Sequence, residues 1–558
     1  MKFLKNWQYS LLLLLGLTVT FTACKNDDEP AAVLSVTGIN PTSAPVSSTI
    51  TITGTLFNST PASNTVTFTG NAVATVVSAT PTQLVVTVPA GAQNGTITVT
   101  TGGQTATSSQ AFSLSARTVV TVTGSLTANT NWTSDNIYLL KGFVIVDNNS
   151  TLNIQAGTII KGAGKADDPS GQQRGATLII RPGSKINAVG TASAPIVFTS
   201  NQPAGSRNYG DWGGIAIFGK APINQPSATT FEGGLPGTVG TFSDAADNSG
   251  TMQYVRVEFG GIALLANSEI NGISLYGVGS GTTLDHIQVS YSGDDSYEWF
   301  GGTVNAKYLI AYRGFDDDWD TDWGFSGKVQ YGLSLRDPNV ADQSGSNGFE
   351  SDNFNPGAPA TGPNAGLPLT AAVFANMSNF LTSGTPPTGN TSGGSGPYQS
   401  AMHLRRNTSI SIFNSVMVGY PEGLRLDAQT GTTNTLDNAT SGALQLHGVV
   451  IANSTTPVRG AQAITDAQAT TFFNTAAYKN QIIPSASLAT LLLNAQTFNL
   501  SGTPNFLPQT GSPLLTGAIW DGKGADALFT KETFIGAFGT TDWTQGWANW
   551  NPQTTSYN

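Results

Sequence analysis

Acidic side chains are few in this chain and crowded in one place. Gly293-Asp294-Asp295-Ser296-Tyr297-Glu298-Trp299 is followed by Gly314-Phe315-Asp316-Asp317-Asp318-Trp319-Asp320-Thr321-Asp322-Trp323. Alternate side chains of an extended segment share a side, so Asp316, Asp318, Asp320 and Asp322 are expected to point together. Asp294 and Asp295 precede Asp316 and Asp317 by 22 residues, which sets them side by side if the chain coils with that period. Carboxylates at this density repel one another, and a bound cation relieves the repulsion. Ligands that are all oxygen suit a hard ion, Ca²⁺ before others. A solvated or hydrogen-bonded acidic turn and a set of catalytic carboxylates are the other readings. The spacing is not that of an EF-hand: after Asp318, Asp320 and Asp322 the glycine falls one residue late, and Val329 stands where the twelfth-position Glu belongs.

Tyr297, Trp299, Trp319 and Trp323 flank these acids. Exposed, they make a platform on which sugar rings stack while the carboxylates take the hydroxyls; packed on one another, they close a turn. Arg313 beside the cluster, and Arg405 and Arg406 after His403, are the cations that could act as a base. An arginine is a demanding base, with a pKa above 12, and one paired with acids is structural. His286, His403 and His447 lie far apart in strand-like runs without metal-ligand spacing, and read as satisfied structural residues. No Gly-x-Ser-x-Gly elbow occurs with a histidine partner.

The chain around these residues has 558 positions, with only 24 Lys or Arg and 34 Asp or Glu, a net charge of −10, 64 glycines and 39% hydrophobic residues. Helix formers such as Glu, Lys and Arg are too scarce for a helical bundle, and the negative balance argues against a nucleic-acid partner. The apolar fraction is enough for a core. A single cysteine excludes an internal disulfide.

That cysteine has its own context. Lys2 and Lys5 precede the apolar run Leu11 to Leu17, which ends in Phe21-Thr22-Ala23-Cys24 and then Lys25-Asn26-Asp27-Asp28-Glu29. The pattern resembles a bacterial lipobox, with Phe21 in place of the usual Leu, and the acids after Cys24 resemble the surface-export signal of Bacteroidota lipoproteins. The resemblance implies a signal peptide over 1–23, an acidic linker over 24–32, and an outer-membrane protein held by acyl chains on Cys24 and exposed at the cell surface.

Short alternating strands separated by turns fill 33–115 and predict a β-sandwich. Ile39-Asn40-Pro41-Thr42-Ser43-Ala44-Pro45, Ile52-Thr53-Gly54-Thr55-Leu56-Phe57 and Val86-Thr87-Val88-Pro89-Ala90-Gly91 resemble the TIG (IPT) immunoglobulin-like family, which implies a spacer or binding module. From 118 to 520 similar strands closing on glycine recur, as in Gly250–Gly260, Gly281–Gly293, Ala306–Gly314 and Ser409–Gly419. A period near 21 to 25 residues favours stacked coils over the longer repeat of a propeller blade. With Pro504-Asn505-Phe506-Leu507-Pro508 through Ala518, the region resembles pectin-lyase-like proteins. The resemblance implies an all-β chain: an immunoglobulin-like sandwich followed by a right-handed parallel β-helix. Residues 355–400, rich in Pro, Gly and Ser, read as a protruding loop, and 521–558 as a C-terminal cap over the open end, with Trp543, Trp547 and Trp550 packed on it.

Together these point to a lipid-anchored surface protein that binds polysaccharide or another surface component without catalysis. A Ca²⁺-dependent polysaccharide lyase or glycoside hydrolase, and a structural adhesin, are the alternatives.

Overall fold

In the computed structural model the described residues are 33–557 apart from 47, 90, 227–228, 230, 237–242, 266–267, 355–365, 383–396 and 429–431; Cys24 and the segments read as a signal peptide and an acidic linker therefore lie outside them. The first unit is an antiparallel sheet of seven strands. Ala72–Thr80 pairs through one end with Asn64–Phe68 and through the other with Gln83–Thr87, so it folds the sheet over on itself. Alternation then sends Ile52, Val66, Leu84, Val86, Ile97 and Val99 into one core, closed by Phe68 edge-on to Phe112 at 5.1 Å. Arg117 donates to the Val46 carbonyl, and Ser48 Oγ donates to Asp135 Oδ1 at 2.9 Å, tying this unit to the next.

From Thr118 onward, parallel strands form one continuous ladder of 26 strands. In-register stacking is the rule. The Cα partners of one inward column run Ile215, Ile273, Tyr297, Trp319, Phe349, Met402, Leu424 and Val458. Neighbouring positions face outward, and their column runs Ala216, Ser274, Glu298, Asp320, Glu350, His403, Arg425 and Arg459. One face of the coil thus buries an apolar ladder and displays a charged one.

Corners are made by residues with positive φ, and several are not glycine. Tyr254, His286, Tyr308 and Tyr331 hold φ between 50° and 64°. Their backbone strain is offset by ring stacking at 4.4, 4.4 and 4.7 Å along the axis.

Residues 355–400, read as one loop, carry the buried strand Val373–Leu381, which pairs with Lys328–Arg336. Its run Val373-Phe374-Ala375-Asn376-Met377 was hidden between Pro- and Gly-rich flanks. The expected cap at 521–558 is also corrected. The helix Asp466–Phe473, with Ala469, Phe472 and Phe473 in the main core, packs at the last coils. The tail instead runs back along the flank. A second face of the coil is apolar on its outer side too, with Ile310, Leu333, Leu335, Phe380, Val416 and Val418, and Phe506, Leu514, Ile535, Phe538 and Trp547 cover it.

Buried amides fasten this strap. Gln330 exchanges two hydrogen bonds with the Thr530 backbone, at 2.7 and 2.9 Å, and Gln288 two with Asn549, both 2.8 Å. Asn414 does the same with Ile519 at 2.9 and 2.7 Å. At the far end Arg207 donates to the carbonyls of Pro552 and Thr555, and Tyr557 donates to Glu258. Gln330→Ala removes two hydrogen bonds to the backbone of Thr530, an exposed residue, and one to the buried Asn376, a cost of about 1–3 kcal/mol. It should therefore open the strap to limited proteolysis near Thr530 and lower the melting temperature; unchanged cleavage kinetics would show that the amide is not what holds it.

Candidate functional site

The outward charged column and the corner that precedes it enclose a cleft of about 430 Å³. Asp294, Asp295, Asp316 and Asp317 come from corners one coil apart, where the Asp317 N–H donates to Asp295 Oδ1 at 2.8 Å. Glu298, Asp320 and Asp322 come from strands Tyr297–Phe300 and Trp319–Asp322. The next coils add Glu350, Asp352, His403, Arg405, Arg425 and Asp427.

Two acid trios are close enough to share an ion. Asp294, Asp295 and Asp316 can each offer an oxygen within 4.8 Å of the others, and so can Asp295, Glu298 and Asp320. Asp316 Oδ1 and Asp320 Oδ1 are buried atoms with no hydrogen-bond partner. Burial first, and then Asp294 and Asp317, push the Asp295 carboxyl well above the ordinary carboxylate range. Burial followed by Asp294 raises Asp316, burial followed by Asp316 raises Asp317, and burial followed by Glu350 raises Asp320.

The cationic end is satisfied differently. Arg405 holds Asp352 in a two-point pair, Nε and Nη2 each 3.0 Å from a carboxylate oxygen, and also pairs with Glu350. Burial alone would raise Glu350, but Arg405 and His403 overcome it and hold the carboxyl at about 2. His403 sits between Glu350, 3.5 Å from Nδ1, and Asp427, 3.4 Å from Nε2. Burial works to lower its pKa, yet those two acids raise it above the ordinary value. Arg405 is itself pushed up by Glu350 and Asp352 against its burial, which removes it as a base.

Several sequence expectations change here. Asp318 does not join the cleft: it lies at an inside corner, fully buried, with Oδ1 2.9 Å from Arg336 Nη1 and Oδ2 accepting from Ser334 and Tyr420. The alternation that carries Asp320 and Asp322 outward begins only at Trp319. Tyr297, Trp299 and Trp319 are no sugar platform, because the same alternation turns them inward; Trp299 and Trp319 are 0% exposed and stack on Tyr297 at 5.8 and 5.3 Å. Trp323, 6% exposed, packs with Phe231, Tyr276 and Phe300 at another corner. Arg313 faces the strap, paired with Asp337 and donating to Leu500.

Sequence reasoning set Asp317 beside Asp295 without naming it a ligand, and assigned no role to Glu298, Glu350, Asp352, Asp427 and Arg425 in this site. The 22-residue register that pairs Asp294 with Asp316 also pairs Glu298 with Asp320, and could have found Glu298. Glu350 follows Asp320 by 30 residues because 337–345 lengthens the corner, so the period fails there.

A model of the pectate-lyase-like β-helix domain matches residues 124–487. The chain belongs to this family. An IPT/TIG domain matches 34–116, and the two domains together fit a surface or carbohydrate-related protein. No curated protein matches the chain. Among solved structures, an auxiliary nutrient binding protein from Bacteroides thetaiotaomicron is similar at 20% identity over 16% of this chain and 22% of its own, with TM-score 0.15. One described in the same words from Bacteroides ovatus is similar at 19% over 16% and 22%, with TM-score 0.15. A putative phosphatase from B. thetaiotaomicron is similar at 25% over 16% and 19%, with TM-score 0.15. The chain thus spans about a fifth of each, and likenesses this slight say nothing of the β-helix.

The raised carboxyls set a pH dependence. An acid whose folded pKa is raised stabilises the fold fully below its unfolded value, about 4, and the gain is lost as pH rises through the folded value. Glu350 works in the opposite sense and loses its contribution only as pH falls towards 2. In chelator, the melting temperature of the β-helix should therefore fall between pH 5 and pH 8, and Asp320→Asn should flatten that slope. Equal slopes in both proteins would mean that the cleft acids titrate normally.

Proposed function

We propose that this is a cell-surface protein held to the outer membrane by a lipid on Cys24, whose TIG domain spaces the β-helix from the bilayer. Its acidic cleft holds Ca²⁺ and binds polysaccharide there without cutting it. The observation that carries the reading is the pair of acid trios sharing Asp295, with Asp316 Oδ1 and Asp320 Oδ1 left without partners. Crowded oxygens of this kind suit a hard cation. The sugar chain's own oxygens would then complete the coordination from the open side. Among the described residues, the cations lining the cleft, His403, Arg405 and Arg425, are each committed to carboxylates, so none of them stands ready as a base.

Two measurements test this. Saturating Ca²⁺ at a hundred times its dissociation constant adds about 2.7 kcal/mol if it binds only the folded state. Melting in millimolar Ca²⁺ should then exceed melting in chelator by several degrees, with the difference abolished by Asp295→Asn with Asp320→Asn; superimposed curves would remove the ion. In cells, Cys24→Ala should shift the protein out of the membrane fraction or leave the precursor uncleaved, and a processed, membrane-bound Cys24→Ala protein would exclude lipidation as the anchor.

A second reading, a lyase or glycoside hydrolase, is favoured by one observation: carboxyls raised by burial can stay protonated and serve as a general acid. A polysaccharide panel with Ca²⁺ decides between them. Binding without new reducing ends or unsaturated products is the expected result. Either product, lost in Asp320→Asn with the fold intact, would make the enzyme reading correct.

A further inference from the structure

The first strand of the long ladder, Thr118–Leu126, is paired on one side only. Asn136–Val146 lies on it in parallel register, and among the described residues no other strand pairs with it. Alternate backbone N–H and C=O groups of a strand point to opposite sides, so about half of those in Thr118–Leu126 are left open. Natural edges are blunted by charge, proline or twist. Here Thr118-Val119-Val120-Thr121-Val122 is an unbroken β-branched run, and no charged residue or proline occurs from Thr118 to Ser134. A bulge interrupts the register between Val122 and Gly124, which leaves Thr118–Val122 as the straight part of the edge.

This strand also leaves the end of the apolar stack uncovered. Val120 starts the inward column that continues through Tyr138 and Ile160, and Val119 starts the outward column of Ile137, Ile159 and Val197. Beyond the first coil both columns are buried, whereas Val119 is 57% and Val120 37% exposed. The sandwich does not close this end. Its Pro45, Ser48 and Thr75 line a cleft of about 700 Å³ together with Asp135, Gln155 and Thr191, corner residues of successive coils. It leans on the flank of the rod, and of Thr118–Val122 only Val122 is buried.

Two observations choose the occupant. At the opposite end of the rod the helix Asp466–Phe473 sets Phe472 and Phe473 into the core and closes the last coils, so head-to-tail growth has no matching edge to join. The straight run also fits itself. Turned end for end about Val120, it sets Thr118 against Val122 of a second copy, Val119 against Thr121, and Val120 against its own counterpart. Every such pair is β-branched and none opposes like charges, which is what stabilises antiparallel neighbours. A two-fold axis normal to the sheet keeps inward side chains beside inward ones. We propose that two copies of this chain join by antiparallel pairing of Thr118–Val122, which makes the two ladders one sheet and their apolar columns one core. A two-fold joint is closed, so assembly stops at the dimer. The joint uses no residue of the cleft and depends on neither the ion nor the lipid.

Sedimentation of the protein lacking residues 1–24, which keeps both β units whole, tests the joint. It should show a reversible monomer–dimer equilibrium in the micromolar range, as small interfaces give. Val119 and Thr121 are exposed, so charges are tolerated there by the fold. Val119→Lys with Thr121→Lys opposes like charges across the joint and should weaken the dimer about tenfold or more. Val119→Lys with Thr121→Glu sets each new cation against a new anion and should keep it. Opposed Cα atoms of an antiparallel pair lie about 4.5–5.5 Å apart, within disulfide reach. Mild oxidation of Val120→Cys should therefore link two copies, while Val189→Cys, 45% exposed on the flank, should stay single. The proposal falls if the protein remains monomeric at millimolar concentration, if the two double variants behave alike, or if Val189→Cys links as readily as Val120→Cys.

Discussion

Everything in this molecule depends on one constraint, the register between successive coils. Because each strand lies directly on its predecessor, a side chain has as its nearest neighbour the residue one coil earlier at the same position. On the inside this converts Ile273, Tyr297, Trp319, Phe349 and Met402 into one unbroken apolar column. On the outside it forces Glu298, Asp320 and Glu350 into equally close company, at the roughly 4.8 Å that separates paired strands. Apolar groups gain from that proximity and like charges lose by it. The charged column is tolerated because it changes sign along its length, passing to His403 and Arg425.

The same register explains what could be read from the sequence. The strands Thr49–Thr55, Gly250–Glu258 and Asn305–Tyr312 announce themselves by β-branched and aromatic alternation with glycine stops. The fold class, two kinds of β unit in tandem, was legible for that reason. The acid cluster was legible too, since it is dense in a chain poor in charge. What alternation could not give was its phase. Whether Asp318 or Trp319 begins the strand decides which residues face water, and one position of error exchanges the two sets. The aromatic residues beside the acids are accordingly core, and Asp318 lies in an internal ion pair with Arg336.

Two other features were out of reach for different reasons. Strand Val373–Leu381 sits between stretches whose composition speaks only of loops. The strap has almost no regular structure of its own, so no periodicity reports it; its fit to the flank is written in single amides such as Gln330 and Asn414, each reaching a strap backbone some hundred or more residues away. The helix Asp466–Phe473 did carry a local signal, the reciprocal pairing of Thr465 with Gln468.

The strap has a consequence for how the rod comes apart. A stack of coils in which each touches only its neighbours behaves as a one-dimensional array, free to fray from either end without disturbing the middle. A segment that is clipped to Asn414 near one end and to Arg207 near the other removes that freedom. Losing an early coil now means releasing Pro552 and Thr555, and with them the cover over coils far along the axis. The rod is thereby turned from a row of independent units into a single cooperative body, held as a bound sheaf is by its cord.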